Sequence, residues 1–304
     1  MTSLPAYPDF KKLELHDRAT IESFTLRFEP YSDLNFTSMW CWDIDGEVEW
    51  SVLRGNLVVR LPSYGIDGPP RYTLLGDLDV RTTVGRLLAG GTVGNELNLV
   101  PEVVVDSLRD SRDLIIREDP DNADYVVDIA KFVDRSGGGY ANIRKKINRF
   151  ARLSPKVIEL DLRLPEECEF VTTVSRQWLA NHPADDPVIA SELKYESAAI
   201  ARSIGTGIGL SLGGLGVLLD GEPCAFKLYE RVGPEWCVAH FAKTAWPMYG
   251  ASEFAMDAVL LRCLAGGARF YNEEQDLGVL GLRTAKRSHR PLRFLRKYSV
   301  SLDE

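Results

Sequence analysis

The residues best placed to do chemistry lie in one run near the end of the chain, Tyr271–Pro291. Three acids, Glu273, Glu274 and Asp276, directly follow a short apolar stretch that predicts a buried strand. A carboxylate in such a pocket can transfer a proton, and nearby cations can hold a phosphate or a developing oxyanion. A structural lattice of ion pairs is the alternative. After a glycine-containing turn, a predicted helix carries the cations on one face until Pro291 ends it: Arg283, Lys286, Arg287 and Arg290.

A second group of cations lies on a predicted helix just after the glycine-rich break Arg135–Gly139. Apolar side chains from Ile143 to Phe150 fall on one face of this helix, and cations fall on another. Such a helix can pack through its apolar face and offer its charges to a polyanion. An amphipathic helix that is merely solvated has the same pattern. The cations on this face are Lys145, Arg149 and Arg152.

Two further polar residues have both a chemical and a structural interpretation. His240 alternates with apolar neighbours on a predicted strand that begins at Trp236, so it is either a hydrogen-bonded core histidine or a base in a pocket. Ser288, near the end of the last predicted helix, either donates to a substrate or caps a turn.

The elements that must position these residues follow an order that indicates the fold. After Pro155 the pattern predicts a strand, two helices, three antiparallel strands, a helix and a short strand at Phe270–Asn272. This is the order of one GNAT (N-acetyltransferase-like) half. In the first half, a helix at Asp17–Phe28 and a hairpin across Glu47–Arg60 are predicted. We therefore predict an α/β (α+β) fold of two GNAT-like domains, residues 1–154 and residues 155–304, with mixed, mostly antiparallel sheets flanked by helices.

Composition excludes several classes of protein. Apolar residues make up 45% of the 304 residues and charged residues 26%, as in ordinary globular domains. No apolar run approaches the roughly 20 residues of a membrane span. The polar start MTSLPAYPDFKKLELHD is unlike a secretory signal, so a cytoplasmic location is expected. The five cysteines form no CxxC pair and there are four histidines, which argues against a zinc site or a disulfide framework.

The charges are unevenly distributed along the chain. The net charge of −8 disfavours a protein that coats nucleic acid nonspecifically. Acidic residues crowd Glu14–Asp45 and Asp106–Asp128, whereas basic residues crowd Arg135–Lys156 and Arg283–Lys297. Two concentrated basic stretches on an acidic protein indicate a focused anionic ligand.

The C-terminal run NEEQDLGVLGLRTAKRSHRP resembles the signature of the phosphatidylglycerol lysyltransferase C-terminal-domain family, the catalytic part of aminoacyl-phosphatidylglycerol synthases. Other segments resemble the family in the same order along the chain: LELHDRATIESF, YSDLNFTSMWCW, Tyr125-x-x-Asp128, GGGYANIRKKINRF and HFAKTAWPMYG. The resemblance covers nearly the whole chain, and the C-terminal motif is its most specific part.

The resemblance implies a tandem GNAT fold that takes an aminoacyl group from aminoacyl-tRNA and places it on an acceptor amine or hydroxyl. In this hypothesis Glu274 or Asp276 accepts the acceptor's proton, and Arg283 or Lys286 stabilises the oxyanion or binds the donor's terminal phosphates. His240 completes the catalytic candidates. The implied substrate-binding residues are Asn272, Gln275, Lys243, Ser288 and His289. The implied tRNA-binding residues are Arg144, Lys145, Arg149, Arg152, Arg287 and Arg290.

Three departures from the family pattern lie near the implied pocket. Glu273 stands where the family usually has Arg, Ala242 where it usually has Glu, and His289 where it usually has Tyr. Neither a lipid acceptor nor a lysyl donor is therefore assumed. We favour an acceptor that is a small molecule, for instance in a biosynthetic pathway.

Two alternatives to this function remain open. One is a GNAT acyltransferase with a thioester donor on coenzyme A or on an acidic carrier protein. The segment TAWPMYGASEF offers only Gly250 for the glycine-rich turn that holds a pyrophosphate, which disfavours coenzyme A but not a carrier protein. The other is a binding module that has kept the fold and lost the chemistry. No resident cofactor or metal is expected, and the donor is the expected partner.

Overall fold

The computed structural model of the chain describes residues 4–63, 68–182, 186–206 and 209–303. The chain divides into two compact units. The first unit comprises Met1–Asp124 together with Leu295–Glu304, and the second comprises Tyr125–Phe294. Within the described residues, no helix is both long enough and apolar enough to cross a membrane.

The first unit contains two antiparallel sheets. Its strands are β1 (Lys11–Lys12), β2 (Glu49–Leu53), β3 (Asn56–Leu61), β4 (Arg71–Leu75), β5 (Glu96–Pro101), β6 (Leu114–Glu118) and β14 (Lys297–Leu302). Its α-helices are α1 (Arg18–Thr25), α2 (Phe36–Trp42), α3 (Val80–Ala89) and α4 (Glu102–Val105). One sheet has the order β1-β2-β3-β4, and the other places β14 between β5 and β6. Aliphatic side chains of α3, α4 and the strands around them form one core.

The second unit is built on one seven-stranded sheet. Its strands are β7 (Asp124–Asp128), β8 (Lys156–Leu160), β9 (Leu212–Leu219), β10 (Glu222–Val232), β11 (Trp236–Thr244), β12 (Phe270–Asn272) and β13 (Arg293–Leu295). Its helices are α5 (Ile129–Asp134), α6 (Ala141–Ala151), α7 (Pro165–Ala180), α8 (Pro187–Gly205), α9 (Ala251–Ala265) and α10 (Leu280–Ser288). The strand order is β13-β7-β12-β11-β10-β9-β8. Strand β12 runs parallel to β11 and antiparallel to β7.

The predicted hairpin across Glu47–Arg60 is confirmed, and a second hairpin joins two of the three predicted antiparallel strands; both turns have the expected backbone. Asp220-Gly221 joins β9 to β10 with φ of 52° and 89°, and Arg54-Gly55 joins β2 to β3 with φ of 54° and 81°. Positive φ at both turn residues matches the twist of the flanking strands, which is why glycine is favoured at the second position.

The compact units do not follow the predicted boundary between residues 154 and 155. Strand β7 pairs with β12 through Val127 and Tyr271, so it belongs to the sheet of the second unit. Helix α6 packs against α9 in that unit and buries Ile143 and Ile147. The last strand, β14, returns to pair with β5 and β6 of the first unit. Local sequence patterns predict the elements, whereas these pairings join segments far apart in the chain.

One glycine fixes the approach of α6 to α9. Gly250, which precedes α9, has a φ of 90°, and a Cβ at this position would lie 2.3 Å from the carbonyl oxygen of Lys146. An ion pair of 2.6 Å between Lys146 and Glu253 spans the same contact. A side chain at position 250 is therefore excluded both by the backbone conformation and by space.

Candidate functional site

The candidate site lies in the second unit, where two neighbouring strands part. Strands β11 and β12 run parallel as far as the pair Val238 and Asn272, where β12 ends while β11 continues. Beyond this point the chain stays with β7. The Glu273 N–H donates to the Tyr125 carbonyl at 2.9 Å, and the Tyr125 N–H donates to the Glu274 carbonyl at 3.1 Å. The acids of the C-terminal run are thereby held beside the diverging part of β11.

His240 projects from a bulge in β11 and lies between two carboxylates. Leu228 pairs with Phe241 while Tyr229 pairs with Ala239, so His240 is the extra residue of the bulge. Its Nε2 lies 3.8 Å from Glu230 and its Nδ1 lies 3.6 Å from Glu274. Burial alone would lower the pKa of His240, but the two carboxylates outweigh burial and raise it to about 9. The imidazole is therefore charged at neutral pH, which disfavours the base role and favours a cation that holds Glu274.

Glu274 is set in an unusual backbone conformation by its neighbours. Its φ is 60°, in the left-handed region that non-glycine residues rarely adopt. The side chain of Asn272, which is fully buried, accepts a hydrogen bond from the Glu274 N–H at 2.7 Å. The Glu274 side chain remains 19% exposed, so its carboxylate can meet a substrate. Asn272 was predicted to bind substrate, and this contact gives it a role in positioning Glu274.

Asp276 is fully buried and surrounded by donors. Its carboxylate accepts two hydrogen bonds of 2.9 Å from Arg283, one of 2.5 Å from the Tyr125 hydroxyl and one of 2.9 Å from the Gly278 N–H. Burial alone would raise the pKa of Asp276, but these donors lower it to about 2. Such a carboxylate is a poor proton acceptor near neutral pH. The geometry thus favours the structural alternative for the pair of Asp276 and Arg283.

Lys286 and His289 fix the loop that carries Glu274. The Lys286 ammonium donates to the carbonyl oxygens of Glu273 and Gln275 at 2.5 and 2.6 Å. The Glu273 carboxylate pairs with Nδ1 of His289 at 2.9 Å, and both side chains are buried. Burial alone would raise the pKa of Glu273, but His289 and two nearby lysines lower it. Two departures from the family pattern, Glu273 and His289, are therefore partners of each other.

Helix α10 turns charged side chains inward and leucine side chains outward, the reverse of an ordinary amphipathic helix. Its cations Arg283 and Lys286 make the inward contacts, whereas Leu280 and Leu282 are 77% and 44% exposed. No residue of α10 is buried. Because apolar burial contributes little here, the helix depends on polar contacts with the loop before it.

Two other predicted substrate-binding side chains are engaged within the protein. The Lys243 ammonium lies 2.5 Å from a carboxylate oxygen of Glu196 and 3.7 Å from the centre of the Trp178 ring. Burial lowers the pKa of Lys243, and Glu196 opposes that effect. The Ser288 hydroxyl donates to the Ala285 carbonyl at 2.7 Å, which favours a turn-capping role.

The cations predicted to bind tRNA divide into two groups. Arg144 donates to the carbonyl oxygens of Arg135 and Gly137, and Arg290 donates to that of Gly139, so these two arginines hold the glycine-rich turn. The other group is exposed and consists of Lys145, Arg149, Arg152 and Arg287. This second group is available to a polyanion.

Three residues at the site were not predicted from the sequence. Lys227 and Glu230 are buried on β10 beside the diverging strands, and Tyr125 reaches Asp276 from β7. The available signal was a charge within an apolar strand, as in CAFKLYE. Charged residues are rarely buried without a specific partner, so a lysine in such a run indicates a site.

In the first unit, three potential metal-ligand atoms of Glu14, His16 and Asp17 lie close together. The Lys11 ammonium is 2.8 Å from Glu14 and 2.5 Å from Asp17. The Lys11 cation already pairs with both carboxylates, and we assign no metal to this group.

Comparisons with known proteins identify relatives of the chain. The family model described as phosphatidylglycerol lysyltransferase, C-terminal, matches residues 100–301. No curated protein matches the chain in sequence. Among solved structures, the chain is similar to a conserved protein of unknown function from Bacteroides thetaiotaomicron VPI-5482, with 22% identity over 99% of this chain and 100% of that one and a TM-score of 0.83.

Two further similar structures carry names that agree with this family model. One is the C-terminal domain of a protein described as a lysylphosphatidylglycerol synthetase from Agrobacterium fabrum, with 15% identity over 96% of this chain and 93% of that one and a TM-score of 0.65. The other is L-PGS from Bacillus licheniformis, with 14% identity over 99% and 94% of the two chains and a TM-score of 0.61. The resemblance in the C-terminal run and the predicted GNAT-type fold are confirmed. The roles of individual site residues stay predictions.

Proposed function

The chain belongs to the phosphatidylglycerol lysyltransferase C-terminal-domain family, and from this premise we propose that it moves an aminoacyl group from aminoacyl-tRNA to an amine or hydroxyl of an acceptor. It is a transferase of the GNAT class. The observation that carries the proposal is the Glu274 carboxylate, partly exposed and 3.6 Å from the charged His240, where β11 and β12 part.

In the proposed reaction Glu274 manages the proton. The acceptor nitrogen or oxygen attacks the carbonyl carbon of the aminoacyl ester while Glu274 accepts its proton. The bond from that carbon to the ribose oxygen then breaks, and the ribose oxygen takes up the proton. His240 holds the Glu274 carboxylate through its positive charge, and Glu230 holds His240 from the other side. Because the ester is already activated, orientation of the two substrates supplies much of the remaining barrier reduction.

Lys286 is the better candidate of the two predicted oxyanion-stabilising cations. It donates to two neutral carbonyl oxygens, whereas the charge of Arg283 is neutralised by Asp276. An ammonium that is already fixed in place stabilises a tetrahedral oxyanion without reorganising in the reaction.

The packing at the start of α9 supports a donor other than coenzyme A. A GNAT enzyme that uses coenzyme A binds the pyrophosphate on a glycine-rich turn at a helix N-terminus. Here the backbone of α6 lies against Gly250, and the first turn of α9 carries Glu253, already paired with Lys146. A carboxylate in this position repels a pyrophosphate. The exposed cations of α6 instead suit the phosphates of a tRNA.

The side chains around Glu274 support an acceptor other than phosphatidylglycerol. The buried pair of Glu273 and His289 replaces residues of a different charge and shape in the usual family pattern. Ala242, on the diverging part of β11, replaces a usual glutamate. The pair of Glu273 and His289 supports the loop that carries Glu274, and Ala242 is exposed two residues beyond His240 on β11. A small-molecule acceptor remains the favoured proposal.

A transfer assay tests the proposal. The protein is incubated with aminoacyl-tRNAs charged with labelled amino acids, with and without a pool of small molecules from a cell extract. The expected result is acceptor-dependent loss of label from tRNA into an RNase-resistant product, and Glu274→Gln slows this transfer roughly 10²–10⁴-fold. Transfer from a carrier-protein or coenzyme A thioester, with none from tRNA, would show that aminoacyl-tRNA is not the donor.

A further inference from the structure

Lys227 is a buried lysine for which the described part of the chain supplies no hydrogen bond and no ion pair. It lies in the middle of β10 and is 8% exposed. Burial lowers its pKa; Lys286 and Lys243 add to this effect, while Glu273 and Glu253 oppose it. A buried ammonium without a partner is costly, so buried charges are ordinarily paired or bind a ligand.

The two carboxylates that influence Lys227 already have cationic partners. Glu273 pairs with His289 at 2.9 Å, and Glu253 pairs with Lys146 at 2.6 Å. The charge of Lys227 is therefore left for a group from outside the chain to balance.

The strand register leaves space for such a group. Lys227 lies directly opposite Ala242 on β11, and opposite residues of an antiparallel pair share a face with Cβ atoms about 5 Å apart. Ala242 is exposed although β11 is an interior strand, because β12 ends at Asn272, opposite Val238. In this chain position 242 carries only a methyl group, and it is exposed.

We propose that Lys227 anchors an anion-binding site beside Ala242, and that this site takes a carboxylate or phosphate group of a substrate. The bound oxyanion supplies the counter-charge for the Lys227 ammonium. The inference rests on the proposed function only for the source of the anion, which is either the phosphate chain of the tRNA donor or an acidic group on the acceptor.

Thermal unfolding of the full chain in inorganic phosphate or acetate, with chloride at equal ionic strength as the reference, tests the site. Phosphate is expected to raise the unfolding midpoint of the unaltered protein in a saturable way. Lys227→Met is expected to raise the midpoint without phosphate, because it removes an unpaired buried charge. It should also weaken phosphate binding roughly tenfold or more.

Two further variants complete the test. Ala242→Glu places a carboxylate opposite Lys227 and is expected to abolish the phosphate response while raising the midpoint. Lys194→Met, at an exposed position of α8, is the matched control and should respond to phosphate as the unaltered protein does. An unchanged phosphate response in both Lys227→Met and Ala242→Glu, or a lower midpoint in Lys227→Met, would overturn the proposal.

A binding measurement separates the two sources of the anion. If the anion belongs to the donor, Lys227→Met lowers the affinity for aminoacyl-tRNA; if it belongs to the acceptor, that affinity is unchanged while the phosphate response is lost. The unfolding assay involves no transfer, so a chain that fails to use aminoacyl-tRNA can still show this site, and the two failures are distinguishable.

Discussion

Replacing Asp276 by asparagine should loosen helix α10 far more than the same change at Glu274. The drop in the pKa of Asp276 from an ordinary 3.8 to about 2 corresponds to roughly 2–3 kcal/mol of stabilisation. Because α10 buries none of its own residues and is tied to Asp276 through Arg283, this energy is lost locally. Amide hydrogen exchange in α10 should therefore become roughly 50-fold faster in Asp276→Asn.

The stability of α10 should depend on pH in a definite direction. Since the folded pKa of Asp276 is lowered, its stabilisation is present above the unfolded value near 4 and is lost as the pH falls toward 2. Protection of α10 in the unaltered protein should fall across this range, and Asp276→Asn should lack this fall.

Glu274→Gln is the matched control, since it makes the same carboxylate-to-amide change two residues earlier. It should leave exchange in α10 within about twofold while lowering turnover by roughly 10²–10⁴-fold. If Asp276→Asn instead leaves α10 protected and abolishes turnover, and Glu274→Gln leaves turnover intact, then Asp276 and not Glu274 is the proton acceptor.

Three other substitutions give separate tests. Gly250→Ala should lower the unfolding midpoint by several degrees more than Gly233→Ala. Both positions have a positive φ, but of the two only position 250 brings a Cβ against the Lys146 carbonyl oxygen. Equal midpoints in the two variants would contradict the close packing of α6 against Gly250. The raised pKa of His240 stabilises the fold below pH 6.5, and this stabilisation is lost as the pH rises through about 9. Unfolding free energy should therefore fall by up to about 3 kcal/mol across that range, and by less in His240→Gln; an identical fall in the two proteins would count against a charged His240. The third test replaces by alanine the exposed α6 cations, which are Lys145, Arg149 and Arg152. The slope of log affinity for tRNA against log salt concentration should become smaller by about 2 to 3. An unchanged slope would show that α6 is not part of the tRNA interface.

Local periodicity was sufficient to predict most of the elements of the second unit. The spacing of Phe170, Val174 and Trp178 predicts one buried helical stripe, and all three are buried in α7. Asp220-Gly221 between two apolar runs predicts the hairpin that the structure contains. Such patterns involve residues close together in the chain, so the elements they predict do not depend on how distant segments pair.

The pairings between distant segments could not be predicted in this way. The residues of β7 predict an ordinary short strand, but they do not indicate that Val127 pairs with Tyr271. The same holds for β14, whose partners lie in the first unit. These contacts decide the unit boundaries, which is why the predicted domains differ from the compact units.

The chemistry of the site shows the same limit. Glu274 and Asp276 are two residues apart and chemically alike, so the sequence left either as the proton acceptor. Their difference comes from Tyr125 and Arg283 on one side and His240 on the other, which fold around the two carboxylates separately. Tyr125 lies 151 residues before Asp276, beyond the reach of any local pattern.

The most direct test of the central claim is a crystal structure with a non-hydrolysable aminoacyl-adenosine, in which an amide replaces the ester. The aminoacyl carbonyl is expected where β11 and β12 part, with the Glu274 carboxylate within about 4 Å of the position from which an acceptor attacks. An aminoacyl group bound away from Glu274 and His240, with its adenosine seated at the N-terminus of α9 in the manner of coenzyme A, would contradict the proposed site of transfer.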